Sequence, residues 1–471
     1  MPAKELSPIQ VYQMLPMTNC KECGETNCMA FAAKLVNREA TLSECKPLLE
    51  PKYAEAYEKL WALLKPAVKA VEVGVGDNKV TLGGEYVLYR HEFTYFNPTA
   101  IAIDVSDEMS DEEFEARIKV ADGFEYEYIG MKLTLDLVAV RSSSNDPAKF
   151  EVAAKKAAEL TDKPLVLCTL DPAVMEQGLA AVGKKRPLIY AATKDNWKEM
   201  ADLALMYNCP LVASSPFDLN TLKGIARTLS EYGVEDIVLD PGAKLDDGIS
   251  ATMDNFTVLR WDAINEEEEY LGLPLMGAPI TAWAEKAEDP IINEWNEAVL
   301  SAALITRFSD IIVVHSVSGW ALLPLVILRQ NLYTDPRKPV SVEAGVNTYG
   351  EPDEMSPVLL TTNFALTFYT VASDIESAKL NCYLVVVDSE GMSVESAVAG
   401  RKVTADIIAE ALEEYKVGDL VKHRHLVIPG RSARLSGEIQ ELTGWKVSVG
   451  PMDSSGIAKY LEEKWVPNPE D

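Results

Sequence analysis

The sequence predicts an α/β protein in which a small cysteine-bearing N-terminal domain precedes a central (β/α)8 TIM barrel and a C-terminal open parallel sheet. Three observations predict it. Four of the seven cysteines fall between positions 20 and 45. Eight apolar strand candidates alternate with helical stretches between residues 101 and 315, the pattern of a closed parallel barrel. A second alternation, of four strands, begins at residue 358 and reads as an open sheet covered by helices. The expected boundaries are 1–60 for the cysteine domain, 61–331 for the barrel, 332–357 for a linker and 358–471 for the last domain.

The head reads C-x2-C-x4-C-x16-C through Cys20, Cys23, Cys28 and Cys45. An iron–sulfur cube needs four thiolates converging from one side. The turn around Gly24 lets Cys20 and Cys23 approach together, and the Ala-rich MAFAAKLVNREA reads as a helix that returns the chain at Cys45. Pro47 follows closely, as a proline follows ferredoxin cluster ligands. Structural zinc is the alternative for four cysteines. Zinc sites usually pair two short knuckles or use histidine, and no second knuckle exists here, so the spacing favours a 4Fe-4S cluster. A cluster alone names no substrate. Cys168, Cys209 and Cys382 lie in or beside apolar segments and are expected as buried, inert thiols.

Lys and Arg total 44 against 73 Asp and Glu, a net charge of −29. Such a surface repels nucleic acid and anionic membrane. The N-terminus, MPAKELSPIQ, lacks the apolar core of a signal peptide, and no run approaches the ~18 apolar residues of a membrane span. A cytoplasmic protein is expected.

Residues 46–80 read as largely helical, followed by a short hairpin around Gly83–Gly84. The expected barrel strands are 101–105, 135–141, 164–170, 188–193, 211–214, 237–240, 275–280 and 311–315, separated by helices such as AKFEVAAKKAAELTD and LNTLKGIARTLSEYG. They end at Asp104, Arg141, Ser214–Ser215, Asp240 and His315, on the face where barrels build sites. A polar residue at a strand end is more often a local hydrogen-bonding group than a catalyst. No metal triad or nucleophile motif accompanies them, so the barrel is expected to serve as scaffold and docking surface.

Residues 332–357 are rich in Pro and Gly and suit an extended linker. Strands are expected at 358–362, 383–388, 425–429 and 446–450. Their carboxyl ends read TTNF, DSEGMSVES, IPGRSA and VGPMDSSG. In an open parallel sheet ligands bind outside these ends, and small residues let backbone N–H groups approach a large flat ligand or its phosphate tail. No G-x-G-x-x-G occurs, which disfavours a dinucleotide.

The cysteine head together with LLTTNFALTFYTV, VDSEGMSVESAVAGRKVTADIIAEAL and HLVIPGRSARLSGEIQELTGWKVSVGP resembles one family across essentially the whole chain. This is the large subunit of the corrinoid iron–sulfur protein, the gamma subunit of the archaeal acetyl-CoA decarbonylase/synthase complex. The resemblance implies a Rossmann-like C-terminal domain holding a corrinoid (cobamide). Its contacts would be Thr361, Thr362, Thr367, Gly391, Met392, Ser393 and Val394, with Gly450 and Ser454 nearby. It implies methyl transfer at the corrinoid cobalt, between a methyl-tetrahydropterin such as tetrahydrosarcinapterin and the nickel–iron–sulfur cluster of acetyl-CoA synthase, with no catalytic side chain. The four-cysteine cluster would reduce accidentally oxidised cobalt. Implied partners are the small (delta) subunit as a heterodimer, the acetyl-CoA synthase and CO dehydrogenase subunits, and a low-potential donor such as ferredoxin.

The only histidines are His91, His315, His423 and His425, and none lies in the D-x-H-x-x-G loop that supplies a nitrogen to cobalt in many corrinoid methyltransferases. A base-off corrinoid is therefore expected, with His423 and His425 as a solvated pair flanking a strand. The competing readings are an iron–sulfur electron-transfer or assembly subunit whose barrel and last domain only dock partners, and a self-contained pterin methyltransferase that uses its own barrel.

Overall fold

The computed structural model describes residues 7–245, 248–284 and 287–466. The chain forms two units: Met1–Tyr126 with Leu133–Thr334, and Glu127–Lys132 with Asp335–Asp471.

The first unit opens with the cysteine module. Ser7 caps helix Pro8–Met14 through a reciprocal hydrogen-bonded box with Gln10. The Asn27 side chain caps helix Cys28–Asn37 by accepting from the Ala30 amide, and short 3-10 turns lead past Cys45 to helix Ala54–Leu64. Their apolar faces meet in a core of Val11, Phe31, Leu35, Leu48 and Leu60, which also buries Cys28 and Cys45. A core this small needs a cross-link to hold its shape, and cysteines lie inside and beside it.

The helical reading of 46–80 holds for Ala54–Leu64 and the short turns before it. Pro66 stops that helix, leaving Lys65 extended. Ala70–Val73 then pairs antiparallel with Val80–Gly83. The turn of this hairpin lies at residues 74–79, not at Gly83–Gly84. Gly83 instead ends the second strand at φ 72°, where a Cβ would sit 2.5 Å from the Lys69 carbonyl oxygen.

Eight parallel strands follow: Ala100–Ser106, Leu137–Arg141, Leu165–Cys168, Leu188–Ala192, Leu211–Ser214, Ile237–Asp240, Met276–Gly277 and Ile311–Val314. The last pairs with the first, Ile311 opposite Ala100, and a bridge between Leu239 and Leu275 joins the sixth to the seventh. The barrel is thereby closed, as the alternation predicts. Only the seventh strand is much shorter than expected, because Pro279 opens a 3-10 turn in its place. Ala102, Leu137, Val166 and Val212 point into the barrel, and Val71, Val73 and Leu82 of the hairpin share that core. Amides of Lys69 and Gly74 donate to the carbonyls of Gly272 and Arg186, in loops that precede strands, so the hairpin plugs the end where the strands begin.

The second unit is a five-stranded sheet. Gly345–Tyr349 lies antiparallel at one edge beside Cys382–Val387, and Val358–Thr362, His425–Ile428 and Lys446–Val449 follow in parallel. The four parallel strands stand where they were expected. The edge strand falls inside the segment read as linker. Its alternation puts Val346 on one apolar layer, with Val385 and Ile408, and Tyr349 on the other, with Leu384 and Phe368.

The parallel strands run in the spatial order second, first, third, fourth, so a topological switch lies between Val358–Thr362 and His425–Ile428. Only Val358–Leu426 and Leu359–Val427 are paired there. Beyond them the two strands part. Among the described residues, no helix is long and apolar enough to cross a membrane.

Candidate functional site

Two places concentrate chemistry-bearing residues from the sequence reading. The first is the cysteine loop. Cys20 and Cys23 lie on irregular backbone, Cys28 starts a helix, and Cys45 caps the 3-10 turn Leu42–Glu44. Met17, Asn19 and Lys21 have φ of 54, 48 and 63°, alternate left-handed residues that curl the loop. The Asn19 amide donates to Cys28 Sγ at 3.3 Å, and the Asn19 side-chain carbonyl accepts from the Cys28 amide at 2.9 Å. Burial pushes the Cys45 thiol up; the Leu48 amide opposes this, and the sulfurs of Cys23, Cys28 and Cys20 add to it. A thiol so placed ionises only when a cation takes the proton's place, as bound iron does. Four sulfurs within electrostatic range of one another therefore fit a shared iron–sulfur group. Among the described residues, no three His, Cys, Asp or Glu side chains are arranged to hold a single metal ion.

The second place is the switch point, where a cavity of about 340 Å³ opens. Thr361, Thr367, Ser393, Val394, Gly450 and Ser454 line it, six of the nine contacts expected there. Thr361 is 1% exposed and its hydroxyl has no hydrogen-bond partner, which leaves about 1–3 kcal/mol for a bound group to relieve. Thr362, next along the strand, takes the opposite face and does not line the cavity. Gly391 and Met392 do not line it either. At Gly391 (φ 71°) a Cβ would come within 2.7 Å of Pro339, and Met392 packs on an apolar layer.

Asn363, which the sequence reading quoted in TTNF without a role, holds this region together. Its carbonyl accepts from the Ser389 amide (2.9 Å), the Ser389 hydroxyl (2.8 Å) and the Gly391 amide (3.1 Å), and its amide donates to Asp388. Leu366, Pro429 and Met452 complete the wall. No histidine lines this cavity.

The polar strand ends of the barrel gather in two hydrogen-bonded groups. Asp104 receives Arg117 at 2.8 Å, His315 Nδ1 at 2.6 Å and Arg141 at 3.1 Å. Burial would raise its carboxyl, but His315, Arg117 and Arg141 together hold it below the usual carboxylate range. Asp240 accepts from Tyr190, Ser214 and the Gly242 amide, and burial outweighs these donors and raises it. Arg117 and Tyr190 were not legible as members, since neither lies at the end of a strand. Every carboxylate oxygen in these groups is occupied.

His423 and His425 are not the solvated pair expected. They are 0% and 4% exposed. His423 meets the Ser356 carbonyl at 3.0 Å, and His425 meets the Ser448 hydroxyl at 2.6 Å and stacks on Trp465. The aromatic ring that covers both comes from the C-terminal end of the chain, which strand periodicity cannot foresee. Cys209 and Cys382 are buried as expected, whereas Cys168, at a barrel strand end, is half-buried. Burial pushes all three thiols up to about 12.

Known proteins resemble the chain over nearly its full length. Residues 70–461 match the family described as "CO dehydrogenase/acetyl-CoA synthase delta subunit", and residues 15–47 match "Putative Fe-S cluster". The acetyl-CoA decarbonylase/synthase complex subunit gamma 2 of Methanosarcina thermophila is 45% identical over 465 residues, 98% of this chain and 99% of that protein. The subunit gamma of Archaeoglobus fulgidus is 44% identical over 470 residues, with the same coverage. Among solved structures, a dihydropteroate synthase of Thermus thermophilus aligns with 56% of this chain and 100% of its own, at 14% identity and a TM-score of 0.38.

Proposed function

This chain belongs to the gamma-subunit family of the acetyl-CoA decarbonylase/synthase complex, and from that membership we propose that it is a corrinoid methyl carrier with its own reducing cluster. It passes a methyl group between a methyl-tetrahydropterin of the tetrahydrosarcinapterin type and the nickel–iron–sulfur cluster of acetyl-CoA synthase. It works as a heterodimer with the small delta subunit, beside the acetyl-CoA synthase and CO dehydrogenase subunits, and draws electrons from a ferredoxin-like donor.

The observation that carries this reading is the switch-point cavity with the buried, unpartnered Thr361 hydroxyl. Thr361, Thr367, Ser393, Val394, Gly450 and Ser454 would hold the corrinoid, with Thr362, Gly391 and Met392 beside them in the sequence. When bound, the corrinoid supplies a cobalt atom that takes and gives the methyl group, and a 4Fe-4S cluster on Cys20, Cys23, Cys28 and Cys45 supplies a low-potential electron. The chain's own part is to place and shield. Thr361 would offer a buried donor, Leu366, Val394 and Met452 would give the ligand apolar contact, and Gly450 would let the backbone come close. A corrinoid is larger than this cavity, so the delta subunit provides the rest of its enclosure. No histidine lines the cavity, so no imidazole of this chain would ligate the metal there, and fewer nitrogen ligands would favour its electron-rich reduced state.

Cobalt and iron analysis with visible absorption of the anaerobically purified chain tests the reading. Both metals should be present, and Thr361→Val should retain several-fold less corrinoid while its circular dichroism stays unchanged. A chain that carries iron yet takes up no corrinoid, even with its delta subunit, would leave the electron-transfer alternative standing.

A further inference from the structure

The floor of the barrel, where its strands begin, holds a second cavity, of about 210 Å³. Barrels build reactive sites at the other end, and the proposed methyl chemistry uses none of the floor residues. Glu85, Tyr95, Arg260, Phe308, Asp310 and Tyr333 line the cavity. Glu85 is 3% exposed, and neither carboxyl oxygen makes a hydrogen bond. The amides of Phe96 and Asn97 lie near enough to temper its charge without reaching bonding geometry. Arg260 is 2% exposed. One of its terminal nitrogens donates to Asp310 at 2.6 Å and to the Phe308 carbonyl at 2.7 Å, while its Nε–H has no partner.

A buried acid and a buried guanidinium N–H, both without hydrogen-bond partners and both on residues that line one cavity, are complementary to a ligand that accepts from both. Asp310 already neutralises Arg260. Arg90 and Arg307 also line the cavity, so it carries net positive charge in a chain of net charge −29. Tyr89, Tyr95, Phe308 and Tyr333 supply aromatic surface in its wall, beside aliphatic Val87, Leu88, Ile305 and Leu332. We propose that this cavity binds a small planar carboxylate, whose oxygens accept from Arg260 Nε–H and from the Glu85 carboxyl while its apolar body lies among Tyr95, Phe308 and Tyr333.

The Glu85 proton that this arrangement needs is available. Burial pushes its carboxyl up to about 8; Arg260 opposes this and Asp310 adds to it. The other groups facing Glu85 do not compete. Burial pushes Tyr95 and Tyr333 up, Tyr95 donates to the Leu88 carbonyl, and Arg90 donates to the carbonyls of Asn331 and Leu332. A carboxylate ligand therefore binds the protonated form of Glu85, and its affinity falls as pH rises.

Isothermal titration of the full chain with benzoate, against the neutral isostere benzamide, is the test. Benzoate should bind one per chain and at least tenfold more tightly than benzamide. Its affinity should fall about tenfold per pH unit above about pH 8. Glu85→Gln, whose amide still donates, should keep benzoate binding and lose that pH dependence, and Glu85→Leu should abolish binding. No benzoate binding, with only ordered water in the cavity, would overturn the proposal. So would benzamide binding as tightly, affinity that rises with pH, or benzoate binding indifferent to Glu85→Leu. Should the leucine variant not fold, the pH profile of Glu85→Gln decides alone.

Discussion

At the barrel mouth, Asp104 is held by two guanidinium groups and the His315 ring while its side chain is only 1% exposed. The pairing fixes the carboxylate in place. Asp104→Asn leaves Arg117, whose side chain is 9% exposed, charged and unpaired, and should cost about 3–5 kcal/mol in urea unfolding at neutral pH. The sign of its pH dependence follows from its lowered folded value. Above the unfolded carboxylate value of about 3.9 the contribution is complete, and it is lost as pH falls through the lower folded value. The gap between wild type and variant should therefore be constant from neutrality to about pH 4 and close only in stronger acid. The sequence marked Asp104, Arg141 and His315 by their places at strand ends. It could not mark Arg117, which reaches the same carboxylate from the following helix.

Among the elements, strand His425–Ile428 joins two different environments. Its first residue lies among Ser448, Trp465 and His423, and its last borders the cavity, about 10 Å along the strand. His423→Ala and His425→Ala should therefore leave the electron paramagnetic resonance of the cobalt(II) state unchanged, with no nitrogen splitting from an axial ligand. Each should lower stability by about 1–3 kcal/mol, because both rings are buried and hydrogen-bonded. A change in the cobalt spectrum would defeat the claim that no protein nitrogen ligates the metal. The expectation of an inert spectrum stands on the position of the histidines in the sheet, not on the solvation first read for them. The edge strand Gly345–Tyr349 shows the same limit. Its alternation is too short to separate from a linker until the partner strand supplies the hydrogen bonds.

Across the whole molecule, the cysteine core and the barrel core are separate sets of residues. Cys23→Ala should lose the iron–sulfur group, read by anaerobic iron and sulfide analysis, while far-UV circular dichroism still reports the barrel. Four irons persisting in the variant, or zinc replacing iron in the native chain, would refute the cluster. Methyl transfer from already reduced protein should survive this loss, since the transfer itself consumes no electron, whereas recovery from cobalt(II) should not.

Hydrophobic periodicity by itself determined the eight barrel strands, the four parallel strands of the second unit and most helices between them, because burial on both faces writes continuous apolar runs into the sequence. The cysteine spacing determined which thiols gather, because a short loop and one helix limit where they can go. The tertiary structure alone decided what is buried beside what. It covered His423 and His425 with Trp465, turned Thr361 to the cavity and Thr362 away from it, and set Glu85 and Arg260 beside a common cavity. Each of these rests on a contact between residues distant in the chain or on a strand's facing, and local sequence pattern carries no record of the partner.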